Sequence, residues 1–269
     1  MLRTQVDIAA FLGLTAAPVI PTFINQSNSL DSMYSRLENE WHARYERWAE
    51  SHAADHLVAG WSERGLSRRL ALVSHCIAEA GLLPGSSLLD LGAGPGAFTR
   101  RLKGHGFSCI GLDYSSKVLA IAKSKDKSVS YVQGEAYHLP FQQSRFMGVI
   151  CIGVMQSLEN VHLAIEEMRR VIETGGFLFL DGLNSLFWLH SLKTGKDRFF
   201  NTASRLSYHN PFYLIDELQT LGFGRTHLHW LAMPEKAQRC VEIPLLSSLP
   251  MHSRLFGYAF LISTQKLDC

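Results

Sequence analysis

The chain has 269 residues, enough for one large domain or two small ones, and 46% of them are hydrophobic against 19% charged. That balance excludes disorder, collagen-like repeats and coiled coil as descriptions of the whole chain. Lys and Arg number 26 against 24 Asp and Glu, a formal net charge of +2, too even for a protein held mainly by nucleic-acid phosphates.

In chain order, the mostly apolar stretch at 8–20 follows a single early Arg3. Asp7 interrupts the start of what would be a leader, and no cleavage site followed by a secreted-type cysteine pattern is visible. Residues 1–30 therefore read as an N-terminal extension whose last ten, PTFINQSNSL, form a polar linker. From 31 to about 59, Met33, Leu37, Trp41, Tyr45 and Trp48 recur in steps of three and four, which predicts one amphipathic helix with an aromatic face. A second helix is expected over 67–80, stopped by Gly81 and Pro84. Together they make a helical cap, 31–84.

After Gly85 short apolar runs alternate with helical segments. SLLDL (87–91), SCIGLD (108–113), VSYVQ (129–133), FMGVICI (146–152) and FLFLD (177–181) are expected strands, with helices through Leu102, over 116–123 and over 160–172. Near-continuous apolar strands separated by helices mean a parallel sheet covered on both faces, a doubly wound α/β domain over 85–269. The aromatic and basic segment 182–210 breaks the pattern and reads as a lid insertion. A helix at 213–221, a strand at 226–233 and a last strand at 258–265 close the chain.

The five cysteines, Cys76, Cys109, Cys151, Cys240 and Cys269, are scattered and contain no C-x-x-C pair. They read as reduced thiols, neither a disulfide framework nor a zinc cluster, which suits a cytoplasmic location. No run of about 18 apolar residues suggests a membrane span.

The glycine loop Asp90-Leu91-Gly92-Ala93-Gly94-Pro95-Gly96 lies where the first strand becomes a helix. Glycines there let a ligand approach the backbone, and the helix start offers free N–H groups. Gly92-x-Gly94-x-x-Ala97 also satisfies a loose dinucleotide fingerprint, so the loop alone leaves a nicotinamide-dependent oxidoreductase open. An acidic Asp90 beside the ligand suits a cationic amine better than a pyrophosphate. Asp113, ending the second strand, can accept two ribose hydroxyls, and Gly134-Glu135-Ala136 would sit beside an adenine.

DLGAGPG, GLDYSSKVLAIAK, GEAYHLPF, FMGVICIGVMQSLEN and RVIETGGFLFLD, in this order, resemble the successive motifs of class I S-adenosylmethionine-dependent methyltransferases. The look is nearest to small-molecule enzymes of ubiquinone and menaquinone biosynthesis, whose N-terminal Tyr/Phe-x-x-Trp pattern Tyr45 to Trp48 resembles. The resemblance implies a Rossmann-like, seven-stranded, mostly parallel sheet and S-adenosylmethionine as cofactor. It implies that Asp90, Gly92, Ala93, Gly94 and Gly96 hold the methionine part and that Asp113 takes the ribose. Tyr114, Glu135 and Ala136 would surround the adenine, with Ile152 and Gly153 near the sulfonium.

A sulfonium methyl is already activated, so positioning and water exclusion are the main tasks, with a base needed only for a protonated acceptor. His209 and His190 are the candidate bases, because the segment around them covers the mouth in such folds. Tyr45, Trp48, Gln156, Asn184 and Trp188 are the candidate acceptor contacts. Gln156 offers no carboxylate after the fourth strand, where magnesium-dependent relatives need one, and no nucleic-acid-modifying motif is present. The expected reaction is metal-independent O-, N- or C-methylation of a small, partly apolar metabolite. A protein of the same fold that binds the cofactor without transferring methyl is the remaining alternative.

Overall fold

The computed structural model describes residues 36–51, 54–187, 206–232 and 257–268. Helices α1 (Arg36–Ser51), α2 (Asp55–Val58) and α3 (Glu63–Glu79) precede the sheet. There follow β1 (Ser87–Leu91), α4 (Ala97–Gly104), β2 (Ser108–Asp113), α5 (Ser116–Lys125), β3 (Ser130–Gln133) and β4 (Phe146–Cys151). A 3-10 turn (Met155–Ser157), α6 (Val161–Val171), β5 (Ile172–Asn184), β6 (Tyr208–His209), α7 (Pro211–Thr220), β7 (Phe223–Ala232) and β8 (Gly257–Lys266) complete the described chain.

The strand order is β3-β2-β1-β4-β5-β8-β7. The first five strands run parallel, and β8 is antiparallel to both its neighbours. The expected seven-stranded, mostly parallel sheet is present, with two-residue β6 as an eighth strand. Leu183 pairs with Ala259 on one edge and Tyr208 on the other, so β6 takes up the edge of β5 that β4 leaves after Cys151. Order reverses at β1, because β2 lies on one side of it and β4 on the other. A crevice opens at such a switch point beyond the carboxyl ends of the strands.

Side-chain alternation sorts the core onto two faces. Leu89 and Leu91 of β1, Val149 and Cys151 of β4 and Leu178 and Leu180 of β5 pack with α6 and α7. Leu88, Ile150 and Phe179 point the other way, into Leu66, Val73, Cys76 and Ile77 of α3 and Phe98 and Leu102 of α4. Side-chain caps start several helices: Ser62 accepts from Gly65 N, Ser115 from Val118 N, and Asn160 from Leu163 N.

The single helix expected over 31–59 is two elements, α1 and α2. At Gly60, where φ is +70°, the chain turns against the Trp48 ring, which a Cβ would meet at 2.6 Å. Among the described residues no helix is long and apolar enough to cross a membrane.

Candidate functional site

The crevice has two lobes. A larger cavity, about 260 Å³, lies against Leu112, Asp113 and Tyr114 at the end of β2 and Gln133 to Tyr137 after β3, roofed by Glu38, Trp41 and His42 of α1. A smaller one, about 80 Å³, lies over the glycine loop, between Gly92 to Pro95 and Ile152 to Val154, with Tyr45, Val58 and Trp61 opposite. Gly92, Asp113, Tyr114, Val154 and Ser157 border both lobes.

The loop is tied to the end of β2. Backbone N–H groups of Gly92 and Ala93 both donate to Leu112 O at 2.8 Å, and Gly94 N donates to the Asp113 carboxylate at 2.8 Å. Ser115 N donates to its other oxygen at 2.9 Å. Burial raises the Asp113 pKa, and the two N–H donors work against that. Gly92, Gly94 and Gly96 all have positive φ. Gly92 is also sterically required, since a Cβ there would stand 2.1 Å from Val154 Cγ2. At α4 the N-cap is Gly96, with no side-chain cap, so the first-turn N–H groups keep their donor capacity beside the smaller lobe.

Asp90, expected to help hold the methionine part, lies beneath the loop rather than on a lobe. It shares the strand face of Leu88, so its side chain points under α4 and borders neither lobe. There Thr99 Oγ1 donates to it at 2.5 Å. Burial, with a smaller push from the Asp113 charge, raises its pKa to about 7, against the pull of the Thr99 bond. Asp90 therefore supports the loop from beneath.

Glu135 and Ala136 line the larger lobe, and Ala93, Gly94, Ile152 and Gly153 the smaller. The Tyr114 ring lies 4.7 Å from His42 and 6.4 Å from Tyr45, and its buried hydroxyl has no hydrogen-bond partner among the described residues. Of the expected acceptor contacts, Tyr45 borders the smaller lobe. Trp48 does not border these lobes, because it packs edge-on against Tyr45 and closes over Gly60. Gln156 is also outside them; its carbonyl accepts from Ser207 N. Asn184 is fully buried, its amide donating to Gly257 O and its carbonyl accepting from Leu186 N, so it braces the chain rather than facing an acceptor. His209, on β6, places Nε2 3.2 Å from Met155 O. Burial lowers its pKa, which favours neutral imidazole. Trp188, His190 and most of the 182–210 insertion lie outside the described residues.

Several site features were not read from the sequence. Helix α1 is clasped over the larger lobe by Glu38, which accepts from Tyr137 OH and Glu159 N, and by Glu46, which accepts from Ser115 Oγ and pairs with Lys117. Beneath the smaller lobe Arg69 and Asp181 form a buried ion pair at 3.1 Å, both side chains 4% exposed. Arg69 also donates to Tyr258 OH and stacks on Trp61. The other Asp181 oxygen takes the Gly153 N–H at 2.6 Å, fixing the backbone at φ +82° beside the lobe. A signal existed: Leu66, Arg69, Val73 and Cys76 are spaced along the buried stripe of α3, so Arg69 is a charge on an apolar face.

Residues 89–180 match the family model described as methyltransferase domain. A demethylmenaquinone methyltransferase of Corynebacterium glutamicum (strain R) is 35% identical over 97 residues, covering 36% of this chain and 41% of that protein. A malonyl-[acyl-carrier protein] O-methyltransferase of Erwinia billingiae is 28% identical over 169 residues, covering 54% and 67%. The chain thus spans less than half the length of the quinone-named relatives it matches. Among solved structures, an S-adenosylmethionine-dependent methyltransferase from Thermotoga maritima superimposes with a TM-score of 0.55 at 20% identity, over 86% of this chain and 98% of the other. One from Mesorhizobium loti gives 0.53 at 21%, over 70% and 94%. At such identities the structural likeness concerns the fold. The family match runs through the glycine loop and does not favour the nicotinamide alternative. Residues 89–180 of this chain match the methyltransferase-domain family, within a sheet of the class I methyltransferase fold, and are similar in sequence to the menaquinone-biosynthesis enzymes.

Proposed function

We propose that the chain binds S-adenosylmethionine in the crevice and transfers its methyl group, without a metal, to a small, partly apolar acceptor. The observation that carries this reading is Asp113, held at the carboxyl end of β2 by Gly94 N and Ser115 N and bordering both lobes. Each oxygen accepts one backbone N–H and keeps a further lone pair with which it can accept a ribose hydroxyl. The surroundings fit the rest of the cofactor. Glu135, Ala136 and Tyr114, whose hydroxyl is buried without a partner, suit an adenine. The glycine backbone and the start of α4 suit a carboxylate, and Tyr45 and Trp61 offer aromatic faces to a sulfonium.

When bound, the cofactor supplies an activated methyl group on a positively charged sulfur. The chain's own residues position and desolvate. Gly153, locked by Asp181, and Val154 form the wall beside the reacting end. Helices α1 and α2, as part of a cap over 31–84, roof the crevice and exclude water, while α3 packs on the sheet beneath. For an acceptor carrying a proton, His209 is the proposed base. With Nε2–H donating to Met155 O, Nδ1 is the atom that takes the proton. Relatives named for demethylmenaquinone support a small-molecule acceptor, and one named for malonyl-[acyl-carrier protein] an acyl acceptor, over a nucleic acid.

Calorimetry with S-adenosylhomocysteine tests the cofactor. Wild type should bind, and Asp113→Ala should bind at least roughly tenfold more weakly through loss of two charge-assisted contacts. Equal binding by both proteins would remove Asp113 from the site and the reading with it. Incubation of the protein with a metabolite extract and deuteromethyl-labelled cofactor, read by mass spectrometry, tests transfer. Labelled product absent in the presence of cofactor binding would leave a non-methylating binder as the correct reading.

A further inference from the structure

We propose that the chain carries a binding site for a thiophilic divalent cation of the zinc type, built from Cys76, Glu79 and His229 and separate from the crevice. Cys76 Sγ, a Glu79 carboxylate oxygen and a His229 ring nitrogen lie within 4.8 Å of one another. Cys76 and Glu79 are three residues apart on α3 and so share one helix face. His229 comes from β7. It belongs to the strand face opposite Leu228 and Trp230, which pack with α6 and α7, so its ring is directed toward α3.

Two observations beyond proximity point to a ligand. The His229 Nε2 atom is buried and has no hydrogen-bond partner among the described residues, and a Glu79 carboxylate oxygen is 3.9 Å away, too far for a bond. A buried ring nitrogen without a partner is destabilising, which a cation at that position would relieve. The donor set is also mixed: one sulfur, one imidazole and one carboxylate, the ligand types zinc takes. Tetrahedral zinc, with bonds of about 2.0–2.3 Å, needs its donors roughly 3.3–3.8 Å apart. The donors, all within 4.8 Å of one another, must draw together by up to about 1 Å, and the half-exposed Glu79 side chain can adjust on the helix surface.

His75 completes the surroundings. It lies 3.3 Å from the Glu79 carboxylate, and its ring is edge-on to His229 at a centroid distance of 6.3 Å. It would orient the carboxylate, leaving the fourth position on the metal to water. Coordination replaces the S–H bond of Cys76 by an S–metal bond. The thiol proton leaves to buffer, no electron is transferred, and the hydrated cation loses water in exchange. The metal would pin α3 to the outer strand β7. His229 lies two strands from Asp181 in the same register, through Leu261, so the site sits beside the α3 segment that carries Arg69 but outside the crevice.

The test uses the full chain, stripped with chelator, and Co(II) as spectroscopic probe. The expected result is one equivalent of Co(II) giving intense visible bands of a tetrahedral ion and a near-ultraviolet thiolate charge-transfer band, both displaced by Zn(II). Cys76→Ser should abolish the charge-transfer band, and His229→Asn or Glu79→Gln should weaken Zn(II) binding by about tenfold or more. Zn(II) should also raise the melting temperature of the wild type and not of these variants. Glu79 is exposed enough that its variant will fold even if Cys76→Ser does not, and circular dichroism checks each. A thiolate band that survives Cys76→Ser, or Zn(II) affinity unchanged in both His229→Asn and Glu79→Gln, would overturn the site. Absence of binding to the folded wild type would do the same. None of these outcomes depends on S-adenosylmethionine binding, so this proposal and the methyltransferase reading stand or fall separately.

Discussion

Asp90 is the position at which the structure makes the most quantitative demand. Its carboxyl is almost wholly buried under α4, with the Thr99 hydroxyl as partner and the Asp113 charge nearby. Burial brings its pKa from an ordinary 3.8 to about 7. Between these two values the unfolded chain has lost this proton while the folded chain keeps it. Folding therefore binds a proton, and stability falls as pH rises from about 4 to about 7, then levels off. A shift of roughly 3 units at 1.36 kcal/mol each sets the total near 4 kcal/mol. Asp90→Asn removes the titration. The amide keeps an oxygen for Thr99 but brings an N–H2 that needs a partner, a cost of about 1–3 kcal/mol that does not vary with pH. The stability difference between variant and wild type should therefore move by about 4 kcal/mol in favour of the variant between pH 4 and pH 8. Urea unfolding followed by circular dichroism at one-unit intervals measures it, with the other titrating groups cancelling in the difference. A flat difference across that range, or one that moves in favour of the wild type, would refute the argument. A cation bound in the crevice favours the ionised carboxylate, so wild-type affinity for S-adenosylmethionine should rise toward pH 7 and that of the variant should not.

Arg69→Met leaves Asp181 as a buried charge without its cation and should destabilise the fold by about 3–5 kcal/mol in urea, with Arg69→Met/Asp181→Asn recovering part of the loss; a cost below about 1 kcal/mol would mean the pair holds nothing. Gly92→Ala forces a Cβ toward Val154 at a positive φ, and should cost about 1–3 kcal/mol and most of the S-adenosylhomocysteine affinity. Calorimetry showing an unaltered melting temperature and unaltered binding would contradict this. His209→Gln should lower kcat by about 10²–10⁴ on a protonated acceptor while cofactor affinity stays the same. It should also remove the acid limb of the pH profile, which in the wild type lies below the ordinary imidazole pKa because burial disfavours the charged ring. Unchanged kcat would take His209 out of the mechanism.

What could be read from the residues followed from interactions acting over one turn or one strand. Apolar runs at 87–91, 108–113 and 146–152, with helical segments and glycine stops between them, determine a parallel sheet, because each element can bury its face only against such neighbours. Gly92, Gly94 and Gly96 mark a close backbone approach, and Asp113 at a strand end marks the crevice. Even the misplacement of Asp90 had a local sign: it shares the parity of Leu88, not of Leu89 and Leu91, and parity decides the face. Packing alone decided the rest. Arg69 meets Asp181 across 112 residues of chain, α1 folds back to lay Glu38 and His42 over the larger lobe, and Cys76 and His229 meet only because α3 lies on the face of β7 toward which that ring points. No periodicity encodes such meetings. They depend on where a helix settles on a twisted sheet, and that is set by the fit of many apolar side chains at once rather than by any one segment.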